Sequence, residues 1–236
     1  MDNQNTTKTD EIERNLEVSD AKESQEFLSD QTIELTKKLE QVTEKGSIKQ
    51  ADVLLNLANS ELGQNKMQEC WSHTKQAFDI YLKHEKWEEA VESCDLMYQT
   101  ELPSGISALG HGVWLAVTFP VSIQHTINIL NNIVAETPDN SDGAALAAIV
   151  AHYVVDLRSE TEKQKKDLQF ITLNMLAKVA KRHSKVETQT GLDVWMDKLE
   201  LRDPSVFLPR FSLVLGAIVE DKWWFDRDTL RKKLPN

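Results

Sequence analysis

The sequence has few of the residues that interrupt or cross-link a chain. Its 236 residues include 8 glycines, 6 prolines and 2 cysteines. Two cysteines, Cys70 and Cys94, cannot form a disulfide framework or a four-thiolate zinc site. The longest apolar runs, such as residues 144–151, are far shorter than the roughly 18 to 20 residues that cross a bilayer, and the acidic N-terminus is unlike a signal peptide. We therefore expect a cytoplasmic protein with no membrane partner.

The formal net charge of −11 is unevenly distributed. Residues 1–30 carry 9 acidic and 3 basic side chains and few large apolar ones. Such a segment cannot offset its ordering entropy by burial, so we expect a disordered acidic tail at 1–30. At roughly 150 residues per domain, the rest, 31–236, is expected to form a single helical domain.

The remaining charge is polarised along the chain. Residues 87–157 carry 9 acidic side chains and neither Lys nor Arg, whereas residues 161–236 carry 15 basic and 11 acidic side chains. Phosphate binding needs clustered cations, so nucleic acid is excluded as the main ligand. The C-terminal bases could bind an acidic protein or the tail, or they could form an unevenly charged, solvated surface.

Apolar residues recur at helical spacing almost throughout, and almost no stretch alternates like a strand. We predict an all-α fold of stacked antiparallel helical hairpins, α-solenoid-like, with about nine or ten helices. Ser47 and Gln50 resemble a capping box, Ser122 can cap a helix over 123–136, and Asp203 followed by Pro204 predicts another helix start. Pro209 should bend or split that last helix.

Two further helices have unusual composition. Gly110 and Gly112 lie in one short apolar helix, where each glycine costs about 1 kcal/mol against alanine, so a close approach of another backbone is expected there. Residues 143–158 are apolar nearly all round, which predicts a central helix.

Several segments resemble tetratricopeptide repeats. They are Asn56-Leu57-Ala58, Gly63, Glu69-Cys70, residues 77–80, the start of a second helix at residues 86–91, and a repeat ending at residues 133–140. The match covers about residues 48–158, and it is degenerate because Glu69 and Glu89 are 20 rather than about 34 residues apart. The resemblance implies stacked helical hairpins with a concave face that binds peptides or proteins.

The motifs of common catalytic sites are absent, and one polar constellation remains. His152 and Asp156 are four residues apart on an apolar helix and so share a face, and His111 lies on a second apolar helix. The three could ligate a metal or pair a catalytic base with its orienting carboxylate. The alternative is a buried histidine bonded within its own helix.

The C-terminal region is rich in aromatic and basic side chains. The candidate partner-binding residues are Trp195, Trp223, Trp224, Phe225, Arg227 and Arg231. Tryptophan and arginine dominate binding hot spots, but an aromatic plug that closes the core is the competing interpretation.

These patterns predict a non-enzymatic adaptor or assembly factor. It would bind a protein partner through a helical groove and the C-terminal aromatic-basic patch, without a cofactor, and it could also form a homo-oligomer. The alternative is a small helical metal-binding protein or enzyme centred on His111, His152 and Asp156.

Overall fold

The computed structural model describes residues 24–234 and confirms the all-α prediction. This part of the chain contains eleven helices and no strand. The first, α1, comprises residues 24–40. The others are α2 Ile48–Gly63, α3 Met67–Lys83, α4 Trp87–Gln99, α5 Gly105–Thr118, α6 Ile123–Glu136, α7 Asp142–Arg158, α8 Glu162–Ser184, α9 Gln189–Lys198, α10 Pro204–Ile218 and α11 Arg227–Arg231. Among these residues no helix is long and apolar enough to cross a membrane.

The helix starts follow the predicted caps. The side-chain oxygens of Ser47, Ser122 and Asp203 each accept a backbone N–H in the first turn of α2, α6 and α10. Gln50 completes its capping box one residue earlier than usual, since its Oε1 accepts the N–H of Gly46 at 2.6 Å. Pro209 does not split its helix, because α10 continues through it to Ile218.

Helix α1 begins earlier than the sequence predicts. Residues 24–30 are helical rather than disordered, while the remainder of the predicted tail, residues 1–23, lies outside the described residues. The Leu28 carbonyl accepts the Ser60 hydroxyl at 2.9 Å, and Gln25 donates to the Gly63 carbonyl at 3.1 Å. These contacts with α2 help to offset the cost of ordering the segment.

The chain divides into two compact units, with the boundary between Ile80 and Tyr81. The boundary falls inside α3 rather than in a linker. The single domain predicted over 31–236 therefore stays a prediction, and the two units are described separately.

In the first unit, a buried carboxylate joins α2 to α3. Glu61 is almost fully buried, and its Oε2 lies 2.8 Å from His73 Nδ1. This hydrogen bond raises the pKa of His73. Protonated His73 can therefore compensate, by this hydrogen bond, for the water that the buried Glu61 side chain no longer contacts.

In the second unit, α5 and α7 are the central helices. Successive helices pack in order from α4 to α9, as hairpins predict, and α6 also contacts α8. Helix α10 instead returns to pack on both α5 and α7, which is why these two helices are so extensively buried. The central position predicted for α7 is thereby confirmed. Nearest-neighbour stacking alone would not place α10 there.

Gly110 and Gly112 of α5 mark close approaches, although side chains rather than backbones approach them. A Cβ at Gly112 would lie 2.6 Å from Cys94 Cβ and 2.7 Å from Ile129 Cδ1. At Gly110 it would lie 2.8 Å from atoms of Ile218 and Val219. Helix α5 can therefore approach α4, α6 and the end of α10 only because these positions lack a side chain.

Candidate functional site

Three adjoining surface cavities follow α8 along its length, and together we term them the α8 groove. One lies between the starts of α6 and α8, one between their middles, and one between the end of α8 and α9, with volumes of about 490, 410 and 410 Å³. Successive turns of α8 contribute Gln164, Leu168, Ile171, Asn174, Lys178 and Lys181. The second and third cavities share Asn174 and Lys178, which makes them continuous.

The groove has an apolar floor and a polar rim. Ile127, Val134 and Met175 line the middle cavity and are buried, while Leu192 closes the far end. The rim of the middle cavity carries three exposed asparagines: Asn128, Asn131 and Asn174. This combination, apolar below and hydrogen-bonding above, is typical of binding sites rather than of a solvated seam.

The charge of the groove comes from α8 and its neighbouring loop, since the α6 wall is uncharged. Lys181 pairs with Glu187 at 3.1 Å. Lys178 lies where two cavities meet, and within residues 24–234 it makes no ion pair. The groove thus presents the cation of Lys178 where two cavities meet, while Glu187, which lines the third cavity, pairs with Lys181.

The sequence predicts the inward face of α8 but not the groove. Apolar spacing in the sequence places Leu168, Ile171, Met175, Leu176 and Val179 on the inward face of a helix over 162–184. Met175, Leu176 and Val179 are buried, but Ile171 is 43% exposed and Leu168 is only partly buried. Phe170, however, is 70% exposed and Leu173 45% exposed. Neither side chain lines the three cavities, so these exposed apolar residues do not point to the groove.

His111 is the fully buried centre of the aromatic cluster. Its Nδ1 lies 2.6 Å from the Ser107 carbonyl oxygen, and its Nε2 lies 3.1 Å from the backbone nitrogen of Trp224. A ring that donates through Nδ1 and accepts through Nε2 is the neutral imidazole. The ring also stacks on Trp224 with centroids 4.0 Å apart. His111 therefore anchors the segment after α10 to α5.

The other two residues of the predicted trio have different partners. His152 Nδ1 lies 2.9 Å from the Thr172 hydroxyl, and burial lowers the pKa of His152. Asp156 pairs with Lys165 at 2.8 Å, which lowers the pKa of Asp156. Within residues 24–234, no three His, Cys, Asp or Glu side chains are grouped so that they could hold a metal ion. Within this part of the chain the three side chains therefore do not form a metal site, while the interaction between His152 and Asp156 leaves their pairing as a base and its orienting carboxylate a prediction.

Five of the six residues of the predicted aromatic-basic patch lie together in the structure, and the sixth, Trp195, lies elsewhere. Trp223, Trp224 and Phe225 are half-buried around His111 and Trp114. Arg227 stacks on Trp223 at 4.3 Å, and Arg231 lies 5.5 Å from the ring of Trp114. These contacts are those of an aromatic plug that closes the core over α5.

Trp195 does not belong to this cluster. It is buried in α9 and donates its indole N–H to His183 Nδ1 at 3.2 Å. Trp195 is only 4% exposed. A partner could not contact this side chain, so the prediction that Trp195 belongs to the partner-binding residues is corrected. Its ring contacts His183, not the rings of residues 223–225.

Three arginines hydrogen-bond the carboxyl ends of helices, a role that the charge count did not predict. Arg158 donates to three carbonyls at and after the end of α5, and burial lowers its pKa. Arg182 donates to the Val134 carbonyl and Arg210 to the Leu199 carbonyl. Two arginines of the basic C-terminal region, Arg182 and Arg210, therefore donate to helix-end carbonyls that lack a partner within their own helix.

No protein-family model matches the chain, and neither a curated protein nor a solved structure matches it. The tetratricopeptide resemblance over 48–158 therefore stays a prediction.

Proposed function

We propose that this protein is an adaptor or assembly factor that binds a protein partner through the α8 groove. The observation that carries the proposal is the row of three cavities along α8, two of which share Asn174 and Lys178, with a buried apolar floor and a polar rim. Its cavities together exceed the size of a single small-molecule pocket, and their elongated course follows a helix, as peptide-binding grooves do.

The C-terminal cluster has a supporting role in this proposal. Its rings pack on His111 and Trp114, and its arginines stack on tryptophans, so most of its interaction capacity is used within the second unit. The exposed edges of Trp223, Trp224 and Phe225 would extend a partner interface rather than form its centre.

The experiment compares two single variants in affinity capture from native lysate at low salt. Ile171→Arg places a charge in the middle cavity, at a side chain that is 43% exposed, so folding should be preserved. Val194→Arg makes the same change at an exposed position of α9 that does not line the groove. We expect a stoichiometric protein that is captured by wild-type and Val194→Arg and lost with Ile171→Arg. Absence of such a protein, or equal capture by both variants, would overturn the proposal.

A further inference from the structure

The segment that follows α10 lies on α5, and we term residues 222–234 the strap. Its Trp224 donates the backbone N–H to His111 Nε2 at 3.1 Å and stacks on the imidazole ring. Three further side chains of the strap contact the ring of Trp114: Trp223, Phe225 and Arg231. The contacts that hold the strap are therefore made with residues far from it in sequence.

A second attachment lies near the far end of the strap. Lys233 Nζ pairs with Glu85 Oε1 at 2.9 Å, in the turn between α3 and α4. Leu230, between the two attachments, is almost fully buried. These contacts do not depend on which copy of the chain supplies the strap, so the α5 surface of a second copy offers it the same partners.

The link between α10 and the strap has an unfavourable backbone conformation. Glu220 and Asp221 are both left-handed, with φ angles of 52° and 54°. This conformation brings the Cβ atom of an L-residue too close to a carbonyl oxygen, so both residues resist it. Elsewhere in residues 24–234, non-glycine residues with positive φ occur singly, as at Asn65 and Glu200. The hinge at 220–221 therefore combines two unfavourable conformations that are separate elsewhere.

Extension of this hinge would relieve both conformations and carry the strap away from its own α5. Helix α10 keeps its place, because Ile218 and Val219 pack against Gly110 before the hinge begins. A short hinge under strain favours exchange of the following element between copies. The strap contacts are the same in a closed monomer and in an exchanged pair, so they favour neither state. The hinge conformation then acts against the entropy lost on association, which a higher protein concentration offsets.

We propose that this protein forms a dimer in which two copies exchange their straps, so that each strap lies on the α5 of the other copy. The partner is thus a second copy of the chain, and it supplies the side chains that pack on His111 and Trp114. The hinge, the strap and their contacts include no residue that lines the α8 groove, so this inference is independent of the proposed function.

The oligomeric state of the full chain is the first measurement. Size-exclusion chromatography with light scattering should show a dimer whose fraction rises with protein concentration. The dimer should dissociate slowly on dilution, because each strap has to leave α5 before it can return to its own copy.

Cross-linking between two single variants shows which copy each strap occupies. Glu85→Cys and Lys233→Cys are mixed at high concentration and treated with a short bismaleimide, and we expect a covalent dimer. The native cysteines are buried and should not react. Both substitutions in one chain should cross-link within the monomer, which shows that the reagent spans the two positions. Val194→Cys, at an exposed position of α9, should not cross-link to Lys233→Cys.

Hinge variants test the cause of the exchange. Glycine adopts positive φ without cost, so Glu220→Gly combined with Asp221→Gly should weaken dimerisation at least about tenfold. Proline cannot adopt positive φ and disfavours helical conformations at the residue before it, so Asp221→Pro should strengthen dimerisation about tenfold or more. Glu200→Gly relieves a single left-handed residue after α9 and should leave the dimer fraction unchanged.

Three outcomes would overturn this inference. The first is a chain that stays monomeric at every concentration, with and without Asp221→Pro. The second is a dimer that does not cross-link between positions 85 and 233 although the double variant does so within a monomer. The third is a dimer fraction that the glycine and proline hinge variants change no more than Glu200→Gly does.

Discussion

His111 and Trp224 are 113 positions apart in sequence and share a hydrogen bond of 3.1 Å as well as a stacked ring contact. The imidazole is fully buried, and its other nitrogen is bonded within α5. A histidine that the sequence marks as a candidate for chemistry thus joins the C-terminal segment to a central helix.

Replacing His111 by Leu should destabilise the second unit. The backbone N–H of Trp224 would lose its acceptor inside a half-buried cluster, and a buried donor left unpaired costs about 1 to 3 kcal/mol. Urea denaturation measures the change in the free energy of unfolding. Ile106→Val, which removes a single methyl group at a 36% exposed position of the same helix, should change it by less than the His111 substitution does. Equal values for the two variants would contradict the assigned role of His111.

Gly112→Ala should destabilise the protein even though alanine is the better helix former. The new Cβ would lie under 3 Å from Cys94 and Ile129, and overpacking costs about 1 to 3 kcal/mol, against a gain in helix propensity of about 1 kcal/mol. Thermal or urea denaturation is the measurement.

Ile129→Val removes the Cδ1 atom that the new Cβ would meet, and it provides the control for Gly112→Ala. The double variant should therefore be less destabilised than the sum of the two single variants. Strict additivity would show that Ile129 is not the obstacle.

Arg158→Leu should cost more stability than the same change at Arg202. The Arg158 guanidinium donates to carbonyls at 2.9, 3.2 and 2.7 Å, and hydrogen bonds from a charged group are worth about 1.5 to 3 kcal/mol. Arg202 is half-exposed and pairs with surface aspartates across solvent, so its loss should cost less stability than the loss of Arg158. Comparable losses in urea denaturation would contradict the capping role of Arg158.

The His73 and Glu61 pair should make the first unit more stable in mild acid. The Glu61 hydrogen bond raises the pKa of His73 above its ordinary value of 6.5. A raised pKa in the fold adds stability that is fully present below the unfolded pKa and is lost as the pH rises through the folded pKa. The stability advantage of wild type over His73→Gln should therefore fall from pH 6 to pH 8, as measured by urea denaturation. An advantage independent of pH would contradict the pairing.

His152 should give the opposite dependence. Burial lowers its pKa below 6.5, so the unfolded chain binds a proton more readily than the folded one. Stability is then lost as the pH falls through the unfolded value, until the folded state is protonated as well. Wild type should lose stability relative to His152→Gln between pH 7 and pH 5. Hydrogen exchange in the second unit separates this effect from that of His73.

Helix positions were predictable because their signals are local. Ser47, Ser122 and Asp203 are adjacent to the backbone N–H groups that they cap. Spacing also indicates the buried residues of α8, although Ile171, which the same spacing places inward, is 43% exposed. The groove was not predictable in the same way, because its rim combines Asn131 of α6 with Asn174 of α8, and nothing in either helix by itself indicates the other.

The positions of the charged residues were also predictable from the sequence, whereas their interaction partners were not. Counting side chains located a cation-free middle and a basic end, and it left open whether those bases bind a partner or form a solvated surface. Arg158, Arg182 and Arg210 instead hydrogen-bond helix carbonyls, whereas Lys178 stands without an acidic partner in the groove. Which cations remain available depends on contacts between residues that are distant in sequence.

The sequence by itself determined that this protein is helical, where most of its helices begin and end, and where its charge is concentrated, because hydrogen bonds within a helix and its caps join residues only a few positions apart. Only the tertiary structure decided that His111 anchors Trp224 rather than joining His152, that α10 returns to α5 and α7, and that α6 and α8 enclose a groove. Those pairings depend on side-chain packing between distant segments, which no local period encodes.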